Sequence, residues 1–378
     1  MRPSRPSYWP LLAGPASAQA VPDGTVQIIG LELRVIAGPG TANDITTDPV
    51  PVDRNQRFEY RVTDLSRRLA PVAPCERAPG GLSIDCPVVN GDGGLDPAVT
   101  VEVGDGADRV TVRVLRPATV RGGPGNDTIN GPDSRSTLDG GPGDDTIQGG
   151  TSIGTILGGD GNDTITDRAP APPPGVHPPT PGDNLDGGNG DDRITAGGRD
   201  QYVTGGPGND RISGGADRDG LWGGPGSDYF DADPDGDLIS GQDGIDTVSY
   251  VTRRTAIRVD LASPQARQGG VEDGQNGDRI EGVERAQAGQ GNDVLLGGPG
   301  DNLLYASGGN DTVDGRGGND RIAGGMGRDT LLGGPGNDDL QDADLGLDAV
   351  HDCGPGIDVA HIDPFERHIV RNCETVGG

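Results

Sequence analysis

Three nine-residue stretches decide the fold: Gly-Gly-Pro-Gly-Asn-Asp-Thr-Ile-Asn at 122–130, Gly-Gly-Pro-Gly-Asp-Asp-Thr-Ile-Gln at 140–148 and Gly-Gly-Asp-Gly-Asn-Asp-Thr-Ile-Thr at 158–166. The sixth residue of each is an aspartate, and these aspartates are 18 residues apart: Asp127, Asp145 and Asp163. An apolar residue stands two places after each aspartate, and Leu138 and Ile156 fall midway between those apolar residues. Each nine-residue unit therefore predicts a glycine-rich turn followed by a strand of about three residues with one inward apolar side chain.

Two such units make an 18-residue coil of a flattened parallel solenoid, so the predicted class is all-β. Aspartates 18 residues apart then stack on the same edge, about 4.8 Å from coil to coil. Two carboxylates at that distance repel each other by roughly 3 kcal/mol at an effective dielectric constant near 20. A cation is expected between them, and the oxygen atoms of Asp and of turn carbonyls suit Ca²⁺.

The unit resembles the nonapeptide of the repeats-in-toxin (RTX) family, Gly-Gly-x-Gly-x-Asp-x-U-x, in which U is apolar. The resemblance implies a right-handed parallel β-roll in which Asp carboxylates and turn carbonyls of stacked coils hold Ca²⁺. It covers residues 104–341. Carried over position by position, it predicts these metal ligands: Asp127, Asp145, Asp163, Asp192, Asp210, Asp228, Asp246, Asp219, Asp237, Asp293, Asp311, Asp320, Asp329 and Asp338.

The composition favours a repeat array over two ordinary domains. The 378 residues include 70 Gly and 32 Pro, and only 31% are hydrophobic, too few to line a large core. The period in the sequence indicates a quasi-one-dimensional array instead of disorder. The net charge of −29 makes nucleic acid an unlikely partner, because a strongly acidic protein repels phosphate. The acids are mostly Asp, whose short side chain suits ligands carried by tight turns.

The nine-residue repeat is interrupted in three ways. The Pro-rich stretch 168–182 contains an eleven-residue insertion, which leaves the two edges of the solenoid in phase. Residues 249–288 resemble a wider coil, across which the edge to which each later aspartate belongs cannot be read. Gln201 and Asn302 stand where the repeat expects an acid, so packing is predicted to continue there with weaker metal binding.

The two ends are expected to differ from the repeats. Residues 1–20 are predicted to be a secretory signal peptide, with a disordered tail or a misassigned start as the alternative. Residues 21–103 are expected to be an atypical first β segment, and 342–378 a terminal cap closed by a disulfide. Four cysteines permit three connectivities; we expect the local pairs Cys75–Cys86 and Cys353–Cys373, with free thiols as the alternative. Such bridges imply an extracytoplasmic setting.

No catalytic unit is expected. Residues 150–154 match Gly-x-Ser-x-Gly, but they occupy a repeat unit and no predicted helix follows. The four histidines are scattered and are expected to be exposed loop residues, and no His-Glu-x-x-His zinc motif occurs. No stretch reaches the 18 apolar residues of a membrane-spanning helix. A lytic enzyme would need a catalytic unit that the sequence does not offer.

The sequence thus predicts a secreted, extracellular Ca²⁺-binding RTX-like protein that folds when it binds Ca²⁺ outside the cell. Ordering an 18-residue coil costs about 27 kcal/mol at roughly 1.5 kcal/mol per residue, far above what two buried aliphatic side chains return. Metal binding is expected to contribute much of the difference. The alternative function is a cell-surface or matrix adhesin or spacer built on the same rod, with an unknown extracellular partner.

Overall fold

A computed structural model describes residues 24–29, 32–38, 42–51, 58–65, 69–79, 83–87, 98–114, 116–152, 154–170, 182–232, 236–262, 277–342, 348–362 and 370–377. Within these ranges the regular secondary structure consists of β-strands, and no helix is present. The proposed signal peptide, residues 1–20, lies outside the described residues. The all-β, parallel solenoid expected from the repeat is confirmed.

The N-terminal strands form hairpins whose free edges join the solenoid. β1 pairs antiparallel with β2, and β2 pairs in parallel with β8 through Leu33 and Val99. β3 likewise pairs in parallel with β9 through Ile45 and Val110. The hairpins therefore extend both sheets of the repeats. These strands are β1 (Gly24–Ile29), β2 (Glu32–Ile36), β3 (Asp44–Pro51), β4 (Phe58–Asp64), β5 (Leu69–Pro71), β6 (Glu76–Arg77), β7 (Ser83–Pro87) and β8 (Ala98–Glu102).

The next strands alternate between two parallel sheets, one strand for each nine-residue unit. They are β9 (Arg109–Val112), β10 (Ala118–Arg121), β11 (Thr128–Asn130), β12 (Thr137–Pro142), β13 (Thr146–Gln148), β14 (Thr155–Asp160), β15 (Thr164–Thr166), β16 (Asn184–Asn189), β17 (Arg193–Thr195), β18 (Tyr202–Thr204), β19 (Arg211–Ser213), β20 (Gly220–Gly226), β21 (Tyr229–Asp231), β22 (Leu238–Gly244) and β23 (Thr247–Ser249).

The remaining strands pass through the irregular coil into the last block. They are β24 (Arg258–Asp260), β25 (Arg279–Glu281), β26 (Arg285–Gln287), β27 (Val294–Leu296), β28 (Leu303–Gly309), β29 (Thr312–Asp314), β30 (Arg321–Gly327), β31 (Thr330–Leu332), β32 (Asp339–Asp342), β33 (Val350–Asp352), β34 (Val359–Ile362), β35 (Val370–Arg371) and β36 (Thr375–Gly377).

Three stacks of strands result. The front sheet runs β5, β1, β2, β8, β10, β12, β14, β16, β18, β20, β22, β25. The back sheet runs from β9 through β11, β13, β15, β17, β19, β21, β23, β26, β28, β30, β32 and β34 to β36. The third sheet runs β24, β27, β29, β31, β33, β35 and serves the last block.

The core is one inward side chain per strand, stacked on its equivalent in the neighbouring coils. In the back sheet Ile129 pairs with Ile147, and Ile147 pairs with Ile165. In the front sheet Leu138 pairs with Ile156. The flanking residues of each short strand point outward, which gives burial patterns such as exposed, buried, half-buried for β13. The nine-residue apolar beat therefore becomes two facing rows of aliphatic side chains.

The Pro-rich insertion leaves the stacking in phase, as predicted. Ile165 pairs directly with Ile194, and Ile156 pairs directly with Leu185. The two residues of each pair are 29 apart in sequence, eleven more than one coil, and the register of the strands is unchanged. Residues 171–181 lie outside the described residues. An insertion of this kind costs little because the coils on either side keep their contacts.

The irregular coil is where one sheet replaces another. Val248 pairs with Ala286 in the back sheet, so that sheet continues through the coil. On the other side, β25 ends the front sheet and β24 begins the third sheet. The strand pairing also shows to which edge the residues after the irregular coil belong. Leu304 pairs with Ala286, so Asn302 lies on the back-sheet edge and Asp293 on the opposite one. Residues 263–276 lie outside the described residues.

Both local disulfides form, as expected. Cys75 bonds to Cys86 and Cys353 bonds to Cys373, and neither leaves a free thiol. Cys86 lies on β7, which is held against β4 through Tyr60. Cys353 is fully buried in the last coils. Each bridge ties a nonrepetitive end segment to itself, where the regular stacking no longer has a neighbour on one side.

We expect Ile147→Ala to lower the free energy of unfolding of the Ca²⁺-saturated protein by roughly 2–5 kcal/mol, because it removes a buried side chain from a row one residue wide. The change is measured as a lower thermal midpoint by circular dichroism. Thr146→Ala, on the exposed side of the same strand, is the control and should leave the midpoint nearly unchanged. Equal shifts for the two variants would contradict the inward row.

Candidate metal centres

The predicted ligands gather in two rows, one on each edge of the solenoid. The back-sheet Asp row contains Asp127, Asp145, Asp163, Asp192, Asp210, Asp228, Asp246, Asp320 and Asp338. The opposite Asp row contains Asp219, Asp237, Asp293, Asp311 and Asp329. All fourteen are buried, with at most 3% of each residue exposed. Each stands directly before a strand, so the pairing of strands fixes the stacking of carboxylates.

One carboxylate oxygen of each aspartate binds the main chain of the coil before it. The N–H of Asp127 donates to Asp145 Oδ1 at 2.7 Å, and the N–H of Asp145 donates to Asp163 Oδ1 at 2.7 Å. In the opposite row the N–H of Asp293 donates to Asp311 Oδ1 at 2.7 Å. Hydrogen bonds to an ionised acceptor are roughly twice as strong as neutral ones. The ladder therefore fixes the orientation of every carboxylate.

The other oxygen, Oδ2, is buried and has no hydrogen-bond partner in twelve of the described aspartates: Asp108, Asp127, Asp145, Asp163, Asp192, Asp210, Asp228, Asp246, Asp293, Asp311, Asp320 and Asp338. A buried charged oxygen without a partner is costly. Native proteins retain few such atoms without an ion or water to satisfy them. The repetition of one orphaned atom along two rows indicates a repeated ligand.

Where a unit begins with glycine, that glycine keeps a small cradle open beside this oxygen; the units of Asp237, Asp293 and Asp311 have alanine at this place. A Cβ added at Gly122 would collide with Asp127 Oδ2 and would lie 2.5 Å from the carbonyl oxygen of Gly140 in the next coil. A Cβ at Gly140 would meet Asp145 Oδ2 and the next carbonyl oxygen in the same way. One carboxylate oxygen and one main-chain carbonyl oxygen thus converge on each cradle. Such hard oxygen donors are the ligands that Ca²⁺ takes, so the residues present fit the ion.

The glycines at the second and fourth positions of the unit shape the turn. Gly123 and Gly125 adopt φ values of 97° and 140°, which side chains other than glycine rarely adopt. A Cβ at Gly125 would also collide with the carbonyl oxygen of Gly106 in the preceding coil. The turns are therefore stacked as tightly as the strands, and their carbonyl oxygens are held in fixed rows.

Without a bound cation the rows take up protons near neutral pH. Burial, with a further contribution from neighbouring carboxylates, raises the pKa of Asp127, Asp145, Asp192, Asp210, Asp311 and Asp320 to about 7. Burial likewise raises the pKa of Asp163, Asp228, Asp246 and Asp338 to about 6. Hydrogen bonds from the main chain act in the other direction but do not offset burial. A divalent cation removes this cost by neutralising the carboxylates.

Two amides interrupt the rows and retain only half of the arrangement. Gln201 Oε1 accepts the N–H of Asp183 at 2.8 Å, while Gln201 Nε2 donates to Asp167 Oδ2 at 3.0 Å. Asn302 Nδ2 donates to the carbonyl oxygen of Glu284 at 3.0 Å. At Gln201 the N–H group takes the place of Oδ2. At Asn302 it takes the place of Oδ1, and the amide oxygen faces Gly297 and accepts the N–H of Gly298 at 2.6 Å. The expectation that packing continues while metal binding weakens agrees with this geometry.

The rows extend beyond the residues predicted from the sequence. Asp108 and Asp358 lie in the back-sheet Asp row, and Glu284 supplies its carboxylate to the N–H of Asp246 inside the irregular coil. Asp348 continues the opposite Asp row after Asp329. Asp358 was recognisable, since residues 353–358 read Cys-Gly-Pro-Gly-Ile-Asp, a repeat with Cys in place of the first Gly. Glu284 and Asp348 carry no repeat signature.

The histidines were misjudged at one position. His351 is fully buried, because it occupies the inward place of β33 and pairs with Leu331. His361 is half exposed, and His177 and His368 lie outside the described residues. Ser152 donates to the carbonyl oxygen of Asp133 at 2.9 Å, on an exposed turn, and the described residues place no helix beside it.

Folding usually lowers the pKa of a paired aspartate, but in the metal-free fold burial raises the pKa of these aspartates. The folded-state pKa lies above the unfolded value of 3.8, so the folded array binds more protons between about pH 4 and pH 7. Its contribution to stability is complete below that window and is lost as the pH rises through it. In excess chelator we therefore expect more β structure by circular dichroism at about pH 5 than at about pH 7.5.

With saturating Ca²⁺ the order should reverse, because the ion binds only ionised carboxylates. Circular dichroism spectra and melts at both pH values, with and without Ca²⁺, provide the comparison. A β signal in chelator that grows as the pH rises would contradict the assignment of buried, proton-accepting rows.

A scan against family models adds independent support. The model described as RTX calcium-binding nonapeptide repeat matches residues 121–155, 139–166, 182–202, 195–230, 204–239, 280–313, 287–322 and 305–340. No curated protein matches the chain. The described residues contain no helix long and apolar enough to cross a membrane. The matched ranges are those in which the Asp rows and glycine cradles recur, and the resemblance seen in the sequence is confirmed: residues 121–340 carry RTX calcium-binding nonapeptide repeats, and Ca²⁺ is the ion that these repeats bind.

Proposed function

We propose that this chain is a secreted calcium-binding β-roll that folds outside the cell when Ca²⁺ fills its Asp rows, and that it works without a catalytic domain. The observation that carries the proposal is the repeated, buried Oδ2 atom beside an open glycine cradle. A rod that buries a carboxylate at almost every turn depends on an external cation. The fourteen predicted aspartates are the proposed ligands, with Asp108 and Asp358 added by their place in the back-sheet Asp row.

The coupling of metal to folding follows from where the two partners of each ion come from. The Oδ2 atom and the carbonyl oxygen at one cradle belong to successive coils, for example Asp127 and Gly140. In an unfolded chain these oxygens are not held together, so binding free energy becomes folding free energy. Extracellular Ca²⁺ modules bind with Kd values on the order of 10⁻⁴–10⁻³ M, which leaves the chain unfolded where Ca²⁺ is scarce.

The disulfides support the external location. Cys75–Cys86 and Cys353–Cys373 are both formed, and such bridges persist in oxidising compartments. The proposed signal peptide at 1–20 would direct the chain there. Ser152 on an exposed turn and a buried His351 do not form a nucleophile and base pair, which supports a noncatalytic role for the described part of the chain.

A surface or matrix spacer is the second candidate, and one outward-facing feature favours it. The rings of Tyr202 and Trp222 stack on the front sheet with centroids 6.1 Å apart and planes 8° apart. Tyr202 is 51% exposed, and the Trp222 ring lies over Gly220, where any Cβ would collide with it. Retention of the Ca²⁺-loaded rod on a cell surface, lost in the Tyr202→Ser/Trp222→Ser variant, would support this role.

We expect the chain in excess chelator at neutral pH to lack a full β spectrum and to gain it on addition of Ca²⁺. Calorimetry and circular dichroism on residues 21–378 should give midpoints at the same Ca²⁺ concentration, since binding and folding are one event. Mg²⁺ at equal concentration is the control, because it demands a smaller octahedral shell. A complete β spectrum in chelator would overturn the coupling.

We further expect Asp145→Asn to lower Ca²⁺ affinity and the number of ions bound while leaving the metal-free chain no less stable. The amide oxygen still accepts the N–H of Asp127, but the NH₂ group replaces Oδ2 in the cradle, as the amide nitrogen does at Gln201. Asp144→Asn is the matched control: Asp144 is exposed, and its equivalents Asn126 and Asn162 show that an amide serves there. Equal losses in the two variants would contradict the ligand role.

A further inference from the structure

A histidine near the C-terminal end, His351, is buried at a position that aliphatic residues occupy in the other coils. His351 stands in the inward row of the third sheet, where the equivalent residues are Val259, Leu295, Val313 and Leu331. It is 0% exposed. A buried polar side chain at an otherwise aliphatic place is an informative departure, because histidine costs more to bury than leucine.

Carboxylates surround this imidazole. His351 Nε2 lies 2.9 Å from Asp342 Oδ2 and 3.8 Å from Asp348 Oδ2, and all three side chains are fully enclosed. One potential ligand atom from each residue lies within 4.8 Å of the others. Around a tetrahedral ion with bonds near 2.1 Å, ligand atoms are about 3.4 Å apart. The two distances from Nε2 bracket that value.

The glycine at the start of the Asp329 unit, Gly324, lies beside this group and shows how it differs from a regular calcium site. A Cβ added at Gly324 would lie 2.6 Å from Asp329 Oδ2, 2.9 Å from Asp342 Oδ2 and 3.0 Å from Asp342 Oδ1. In a regular unit such as Gly315, the second group is the main-chain carbonyl oxygen of the next coil, Gly333. At Gly324 the carboxylate of Asp342 takes the place of that carbonyl.

The strand register shows which residues stand at the place of Asp342 in the earlier coils. β30 pairs with β32 through Ile322 and Leu340, so Asp342 stands one coil after Gly324, and Ala306 stands one coil before it. An acid has therefore replaced a small residue, and a histidine has replaced a leucine, at two neighbouring inward places of one coil. Together with Asp348 they form a group of two carboxylates and one imidazole nitrogen.

We propose that Asp342, Asp348 and His351 form a divalent transition-metal site, of the kind that takes Zn²⁺, distinct from the calcium sites of the repeats. Imidazole nitrogen is a ligand of zinc and its neighbours in the first transition row, whereas Ca²⁺ takes oxygen ligands. The site closes the opposite Asp row at the last coils, where Cys353–Cys373 also lies. It does not depend on secretion or on Ca²⁺-driven folding.

The test is a titration of the untagged full chain with ZnCl₂ in saturating Ca²⁺, followed by competition with a chromophoric chelator. We expect one Zn²⁺ per chain to bind at least about 100-fold more tightly than to His351→Leu, since even outer-shell changes cost 10–100-fold. Co²⁺ should give the visible absorption bands of a nitrogen- and oxygen-ligated ion in the parent protein and not in His351→Leu.

Matched variants keep the result interpretable. His361→Leu removes a half-exposed histidine 3.7 Å from Asp339 and should leave Zn²⁺ binding unchanged. Asp342→Ala/His351→Leu restores the residues found at the same inward places in earlier coils, Ala306 two coils before Asp342 and Leu331 one coil before His351. In saturating Ca²⁺ it should melt no lower than the Zn²⁺-free parent while losing the site. Zn²⁺ binding by this variant as tight as that of the parent, or no tight site in the parent, would overturn the proposal. The second outcome would make the group an internal His351–Asp342 ion pair.

Discussion

The structure depends on a hydrogen bond between successive coils, in which a main-chain N–H donates to the carboxylate of the equivalent residue one coil later. Asp127 donates to Asp145, and Asp145 donates to Asp163. The bond uses Oδ1 and leaves Oδ2 buried beside the first glycine of the unit. Each coil thus presents one unsatisfied anionic oxygen at a fixed place, and a bound cation becomes part of the fold.

Packing and metal binding are separable along this ladder. Gln201 continues the main-chain hydrogen bond and the stacking of Val203, but its second group is a donor that binds Asp167. Asn302 similarly directs its amide nitrogen to a carbonyl oxygen. An amide satisfies itself with the protein's own acceptors, so these coils do not need an ion. The array can therefore vary the number of ions without altering its register.

The two terminal segments cover the ends of the solenoid. A solenoid coil buries its aliphatic side chain only against neighbouring coils, so a terminal coil needs a cover. At the N-terminal end antiparallel strands such as β4 and β7 supply it, with Cys75–Cys86 tying the segment. At the C-terminal end Cys353 replaces the first glycine of a repeat and bonds to Cys373. The same end carries His351 and Asp342, where polar side chains enter places that small and aliphatic residues fill elsewhere.

The sequence by itself determined the coil, the two-sided core and most of the proposed metal ligands, because each nine-residue unit repeats the same local chemistry. Glycines at fixed places impose the turn, and an apolar residue two places after each aspartate imposes the strand. Even the insertion before Asp183 could be placed, since eleven added residues leave the beat unchanged. Only the tertiary structure decided which edge Asp293 and Asn302 occupy, because the irregular coil has no period to count. It alone brought Glu284 into the back-sheet Asp row, because Glu284 lies in the irregular coil, 38 residues after Asp246. It alone placed His351 beside Asp342 and Asp348, because only the strand pairing shows that His351 takes an inward place that Leu331 fills one coil earlier.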